Sequence, residues 1–141
     1  MTGDVSIHCP RAFRGGLLAD SMGLGKSLTL ISLLATDWSE HVQKSIGVPP
    51  TLLVVPLSLL QTWEEEFKRH LHPDTLRWCR YHGPKRSNNI TILLSHDIVL
   101  TTYDLVASEW RTLEKAQKLL FSTTWRRIVL DEGKPQPQVT K

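Results

Sequence analysis

The chain has 141 residues, 17 Lys and Arg against 14 Asp and Glu, and a formal charge of +3. That length suits one domain with a real core, and the mild basicity permits a polyanionic partner without requiring one. Cys9 and Cys79 build no disulfide framework, so a reducing compartment is the default. The longest apolar run, Leu52 to Leu60, is broken by Pro56 and Ser58 and is too short to cross a bilayer. The N-terminus, with Asp4 and His8, does not read as a secretory signal.

Residues 1–14 lack periodicity and read as a lead-in. Gly16 to Ala19 reads as a short buried strand. Lys26 to about Trp38 follows as a helix, with Leu30, Ile31, Leu33 and Leu34 as its apolar stripe. Thr51 to Val55 is a continuous, β-branched-rich run of the kind buried on both faces of a parallel sheet. Ser58 with Gln61 three residues on has the capping-box pattern. The helix it would open carries Leu60, Trp63 and Phe67 inward, Glu64 to Glu66 in its first turns, and Lys68 and Arg69 near its end. The stretches "LRWCRY" and "DIVLTTY" read as strands, "EWRTLEKAQKLL" as a helix, and "WRRIVLDEG" as a strand ending in acid. Strands alternate with helices throughout, which predicts an α/β fold with a mainly parallel sheet.

The stretch "LLADSMGLGKS", Leu17 to Ser27, carries the chemistry. A strand, a glycine turn, and Lys-Ser opening a helix form a cradle for phosphate. Gly23 and Gly25 let backbone N–H groups turn inward, and the helix N-terminus adds positive character. Lys26 would reach the outer phosphates, and the Ser27 hydroxyl would hold magnesium. Asp20 stands where the strict pattern has glycine. The bland alternative is a glycine turn before an ordinary helix. A second carboxylate for magnesium comes at the end of "RIVLDE": Asp131 would bind the metal, and Glu132 would act as general base on the attacking water. Standing alone, such an acidic pair is usually only solvated; beside a phosphate loop the catalytic reading is the better one.

Taken together, these motifs resemble those of the Swi/Snf-type helicase-like ATPases. "RGGLLADSMGLGKSLTLISLLAT" is similar to their motif I, in which Asp replaces the first glycine. "TLLVVPLSLLQTWEEEF" resembles motif Ia, "RYHGPKR" and "DIVLTTYDLV" the segments after it, and "WRRIVLDEG" motif II. "YHGPKR" and the Asp-Glu-Gly type of motif II look most like the branch with the helicase-like transcription factor and the postreplication-repair translocases. The resemblance implies a P-loop, RecA-like lobe over residues 15–133, with a non-family tail at 134–141. It implies a nuclear DNA-dependent ATPase of chromatin remodelling or DNA repair, using ATP and magnesium, with DNA and chromatin or repair proteins as partners. Carried over by position, Asp20, Ser21, Met22, Gly23, Leu24, Gly25, Lys26 and Ser27 bind the nucleotide. Pro56, Ser58 and Leu59 of motif Ia and Thr101 and Thr102 of motif Ib approach the DNA backbone. For Ser58 a simple helix cap is an equal alternative.

The sequence departs from the family in several places. The segment that contacts adenine is not recognisable in residues 1–14, and Lys134 stands where His is usual. Motif III, the second lobe with its charge-stabilising arginine, and a zinc-binding RING module are not found in this sequence. Without the strand that follows motif II, the sheet would carry a gap at its centre or the motif II strand would shift sideways, displacing Asp131 by about one strand spacing. The expectation is a fragment of a longer ATPase, C-terminally incomplete and slow to turn over ATP alone. Two other readings stay open: a non-catalytic remnant or interaction module without a nucleotide site, and, less favoured, a small P-loop kinase. Lys68, Arg69, Arg77, Arg80, Lys85 and Arg86, interleaved with Trp78 and Tyr81, could follow a DNA backbone or simply be solvated. His70, His72, Cys79 and His82 fit no compact zinc spacing. Cys79 reads as a small buried hydrophobe, and Trp63 and Trp125 as core.

Overall fold

Two five-residue runs, Thr51–Val55 (β1) and Ile98–Thr102 (β3), are buried along their whole length and lie side by side, parallel, with Leu53 opposite Leu100. The computed structural model describes residues 15–21, 23–42, 48–72, 75–84, 86–112 and 118–132. Trp78–Arg80 (β2) joins the free side of β3, and Arg127–Leu130 (β4) the free side of β1, giving a four-stranded sheet of order β2-β3-β1-β4. Every pairing is parallel, so the chain returns over a face of the sheet between strands. The helices are Lys26–Val42 (α1), Leu60–His70 (α2), Ile90–Leu94 (α3), Tyr103–Arg111 (α4) and Leu119–Ser122 (α5).

Alternation along the strands sorts the core into two layers. Leu53, Val55, Ile98 and Leu100 meet Ile31 and Leu34 of α1 and Leu60, Trp63 and Phe67 of α2. Leu52, Val54 and Val99 meet Leu93 of α3, Leu105 of α4 and Leu120 of α5. The stripes read on α1 and α2 are therefore the packed faces, except that Leu33 turns to solvent. The side chain of Asn89 caps α3 by accepting from the Thr91 N–H, and Thr102 caps α4 by accepting from that of Leu105. Each satisfies one of the donors a helix start leaves open.

Several expectations are corrected. Gly16 to Ala19 forms no strand, and Leu17 is 92% exposed. Two glycines precede only three apolar residues there, and no neighbouring ladder takes them up. The sheet among the described residues ends instead at β4, directly beside β1. The Asp131 N–H extends that pairing by donating to the Val54 carbonyl at 3.0 Å. Ile128 and Leu130, on the face of the α3–α5 layer, stay 58% and 62% exposed because that layer does not reach over β4. The capping box does not form. Pro56 launches a 3-10 turn, Leu57–Leu59, so Leu59 is the cap of α2 and makes no side-chain cap bond, while Gln61 donates to Glu65. Because α2 starts at Leu60, Glu64 to Glu66 lie beyond its first turn; Glu66 pairs with Arg69 and His70, and Glu64 with Arg80. Of the stretch read as one helix, "EWRTLEKAQKLL", α4 ends at Arg111, where Thr112 is extended, and α5 spans Leu119–Ser122; residues 113–117 between them lie outside the described residues.

Behind β2 sits a polar group the sequence reading passed over. Glu109 is buried, and its carboxylate accepts from the Tyr81 hydroxyl at 2.7 Å and the Leu120 N–H at 3.0 Å. One carboxylate thus ties α4, α5 and Tyr81, the residue after β2, together. Burial pushes the Cys79 thiol up from its ordinary 9.0 to about 11. Burial, helped by Glu109 and opposed by Arg86, pushes the Tyr81 phenol from 10.0 to about 12. Both acids keep their protons in the folded chain after the unfolded chain has lost them, so folding stability is full below pH 9 and declines as pH rises to about 12. Denaturant titrations at a series of alkaline pH values should show that decline. Tyr81→Phe should remove its upper part and Cys79→Ala its lower part.

Candidate nucleotide-binding site

The loop of Asp20 to Ser27, the candidate phosphate loop, leads into α1, the 17-residue helix that packs against α2 and the sheet. Gly23 and Gly25 have φ of 83° and 78°, conformations open to glycine and strained for other residues. An added Cβ at either would meet nothing within 4 Å, so the requirement is conformational and the space beside the backbone is open. The helix proper begins where the Thr29 N–H donates to the Gly25 carbonyl at 2.9 Å. Lys26 folds back over its own loop: Nζ donates to the Asp20 carbonyl at 2.8 Å and the Ser21 carbonyl at 2.9 Å. An ammonium held by exposed loop carbonyls at a helix N-terminus fits a triphosphate, which would offer it stronger acceptors. Ser27 lies half-buried in the first helical turn, Leu24 is exposed, and Met22 lies outside the described residues.

The acidic pair sits at the C-terminal end of β4. The Asp131 side chain accepts from the indole Nε1 of Trp63 at 2.6 Å, and its main-chain carbonyl from the Tyr103 hydroxyl at 2.9 Å. A carboxylate offers about four acceptor positions, so after Trp63 it retains capacity for a metal-bound water. Glu132 is exposed and has φ of 51°, the one positive φ of a non-glycine among the described residues. Such a conformation costs about 1–3 kcal/mol and is concentrated at functional sites. No hydrogen bond or ion pair among the described residues joins the loop of Asp20 to Ser27 to Asp131 or Glu132. Lys134 lies outside the described residues.

The motif Ia and Ib residues lie at the same, carboxyl end of the sheet, after β1 and at the end of β3. Pro56 and Leu59 are half-buried, and the Ser58 hydroxyl is exposed on its 3-10 turn. Thr101 and Thr102 are buried, which narrows the expectation that they face DNA. The Thr101 hydroxyl donates to the Tyr81 carbonyl, and that of Thr102 caps α4 and lies 3.1 Å from His82 Nδ1. The basic cluster is largely internally paired: Arg69 with Glu66, Arg77 with Asp97, Arg80 with Glu64. Lys85 lies outside the described residues. His70 pairs with Glu66 while His82 faces Thr102, so these two candidate zinc ligands point to different partners.

Residues 4–136 match the family described as SNF2-related domain. The chain belongs to this family. It is 35% identical to transcription termination factor 2 of Drosophila melanogaster, over 85% of this chain and 14% of that protein. It is 31% identical to DNA repair protein RAD5B of Arabidopsis thaliana, over 94% of this chain and 12% of that one. The SNF2-related chain thus spans 12–14% of the length of these curated relatives. Among solved structures it resembles the Sulfolobus solfataricus SWI2/SNF2 ATPase core in complex with double-stranded DNA. The TM-score is 0.54 at 29% identity, covering 83% of this chain and 27% of that one. The parallel sheet flanked by helices is accordingly that of a RecA-like helicase lobe, and the RAD5B relative agrees with the repair-translocase branch to which the motifs point. Sequence reading missed Trp63 and Tyr103 as partners of Asp131. The available signal was that a buried indole N–H needs an acceptor.

Proposed function

We propose that this chain is the nucleotide-binding part of a DNA-dependent ATPase that acts on duplex DNA in repair or chromatin remodelling in the nucleus, with ATP and magnesium as its ligands. The observation that carries this reading is the loop of Asp20 to Ser27: two left-handed glycines, open space beside the backbone, and the Lys26 ammonium folded back onto the loop carbonyls. In the proposed site, Lys26 moves from its loop carbonyls to the outer phosphate oxygens, and the loop N–H groups hold the phosphates. Ser27 and Asp131 would hold magnesium, which when bound neutralises charge on the transferring phosphoryl group. Glu132, exposed beside Asp131, takes the proton of the attacking water. Ser58, whose hydroxyl is exposed at the same end of the sheet, is the group best placed to meet a DNA phosphate. Residues 15–133 form the lobe in this proposal, and efficient turnover depends on a second lobe. The partners are DNA and chromatin or repair proteins of the same assembly.

A phosphate ladder tests it. The chain is titrated with ATP, ADP, AMP and adenosine in the presence of magnesium. Affinity should fall with each phosphate removed and vanish for adenosine. No saturable binding of ATP by a folded chain would overturn the proposal and favour a remnant or interaction module without a nucleotide site.

A further inference from the structure

Asp131 is gripped from both faces of the sheet. Trp63 belongs to α2, in the layer that packs on Leu53 and Val55, and reaches the carboxylate Oδ2 at 2.6 Å. Tyr103 opens α4, in the opposite layer with Leu52 and Val54, and holds the Asp131 main-chain carbonyl at 2.9 Å. A buried tryptophan satisfies its N–H with any nearby acceptor, most often a main-chain carbonyl, as Trp125 does with Leu120. Trp63 instead uses a side-chain carboxylate 68 residues away, at the end of an edge strand. The two bonds fix different parts of the residue. The tyrosine fixes where the backbone turns, and the indole fixes which way the carboxylate points. Both are needed at this place, because β4 is paired on one side only among the described residues and the next residue, Glu132, is in a strained conformation.

We propose that Trp63 and Tyr103 are positioning residues for the Asp131 carboxylate, setting its orientation toward the magnesium of the nucleotide site. This rests on the proposed function for the identity of the ligand, but the grip itself can be tested without one.

The test has two arms, both on the 141-residue chain. In the first, without nucleotide, the indole N–H resonance of Trp63 is assigned as the one of five lost in Trp63→Phe. It should move in Asp131→Asn, which takes the charge from its acceptor, and in Tyr103→Phe, which frees the backbone. In the second arm, ATP affinity is measured in EDTA and in magnesium. Supporting partners of metal-binding groups typically affect metal affinity by about ten-fold or more. Trp63→Phe and Tyr103→Phe should therefore leave metal-free affinity unchanged and cut the tightening due to magnesium by about ten-fold. A merely structural role would lower both affinities together, and that result would overturn the proposal. So would an indole signal indifferent to Asp131→Asn, or full magnesium tightening in both variants. If the unaltered chain binds no ATP, the proposed function fails, and the indole arm alone decides whether the grip exists.

Discussion

Replacing Lys26 with alanine will weaken ATP binding by about a hundredfold or more and leave the fold intact. The lysine makes two charge-assisted bonds, to the Asp20 and Ser21 carbonyls, and in the proposed complex it exchanges them for phosphate oxygens. Hydrogen bonds to charged groups contribute about 1.5–3 kcal/mol each. Losing two therefore removes about 3 kcal/mol at the lower end of that range, which is about a hundredfold in affinity. The fold is indifferent because the partners of Nζ are exposed loop carbonyls and α1 is anchored elsewhere, by Ile31 and Leu34. Lys26→Arg should rescue little. A planar guanidinium cannot take the place of a compact ammonium over a loop this tight. Titration of both variants with ATP, beside a thermal melt, checks the claim. Unchanged affinity in a normally melting Lys26→Ala chain would sink the assignment of this loop.

Local patterns in the sequence were legible where the physics was local. The continuous run of Thr51 to Val55 predicts a strand buried on both faces, and β1 is one. The spacing of Leu60, Trp63 and Phe67 predicts the inward face of α2, and all three are buried. Gly23 and Gly25 were expected to take conformations other residues avoid, and they do. The failures are of two kinds. Some misjudged where an element begins: Pro56 starts a 3-10 turn that leaves Ser58 one residue short of the capping position, which falls at Leu59. Others depended on neighbours remote in sequence. Gly16 to Ala19 has the composition of a strand, but a strand exists only with a partner ladder. Thr101 and Thr102 are assigned to DNA by resemblance alone, and Tyr81 and His82, twenty positions earlier, take up their hydroxyls. The same limit hid the bond from Trp63 to Asp131. Helical spacing put Trp63 in the core correctly but could not name the acceptor that its N–H would find there.

Phe67→Ala should cost about 3–5 kcal/mol of folding stability, the range for emptying a buried aromatic site. Phe67 is fully buried between the rings of Trp63, 5.7 Å away, and Trp78, 5.5 Å away. Neither tryptophan can close the space. Trp63 is tethered by its bond to Asp131, and Trp78 by its place in β2. A cavity whose walls cannot relax carries the larger penalty, so the upper half of the range is expected. Domains of this size have roughly 5–15 kcal/mol in all, so the variant should unfold at a much lower denaturant concentration, with little change in the slope of the transition. Phe67→Leu, which keeps most of the volume, should lose far less. The two variants also separate packing from position. If the empty site lets α2 slide, Trp63 loses its register on Asp131, and magnesium-dependent ATP binding should weaken in the alanine variant even where it is still folded. If α2 stays in place because Leu60 and Trp63 hold it against Leu53 and Val55, stability falls and binding does not. The helix would then be fixed by its N-terminal half, the end that carries the indole.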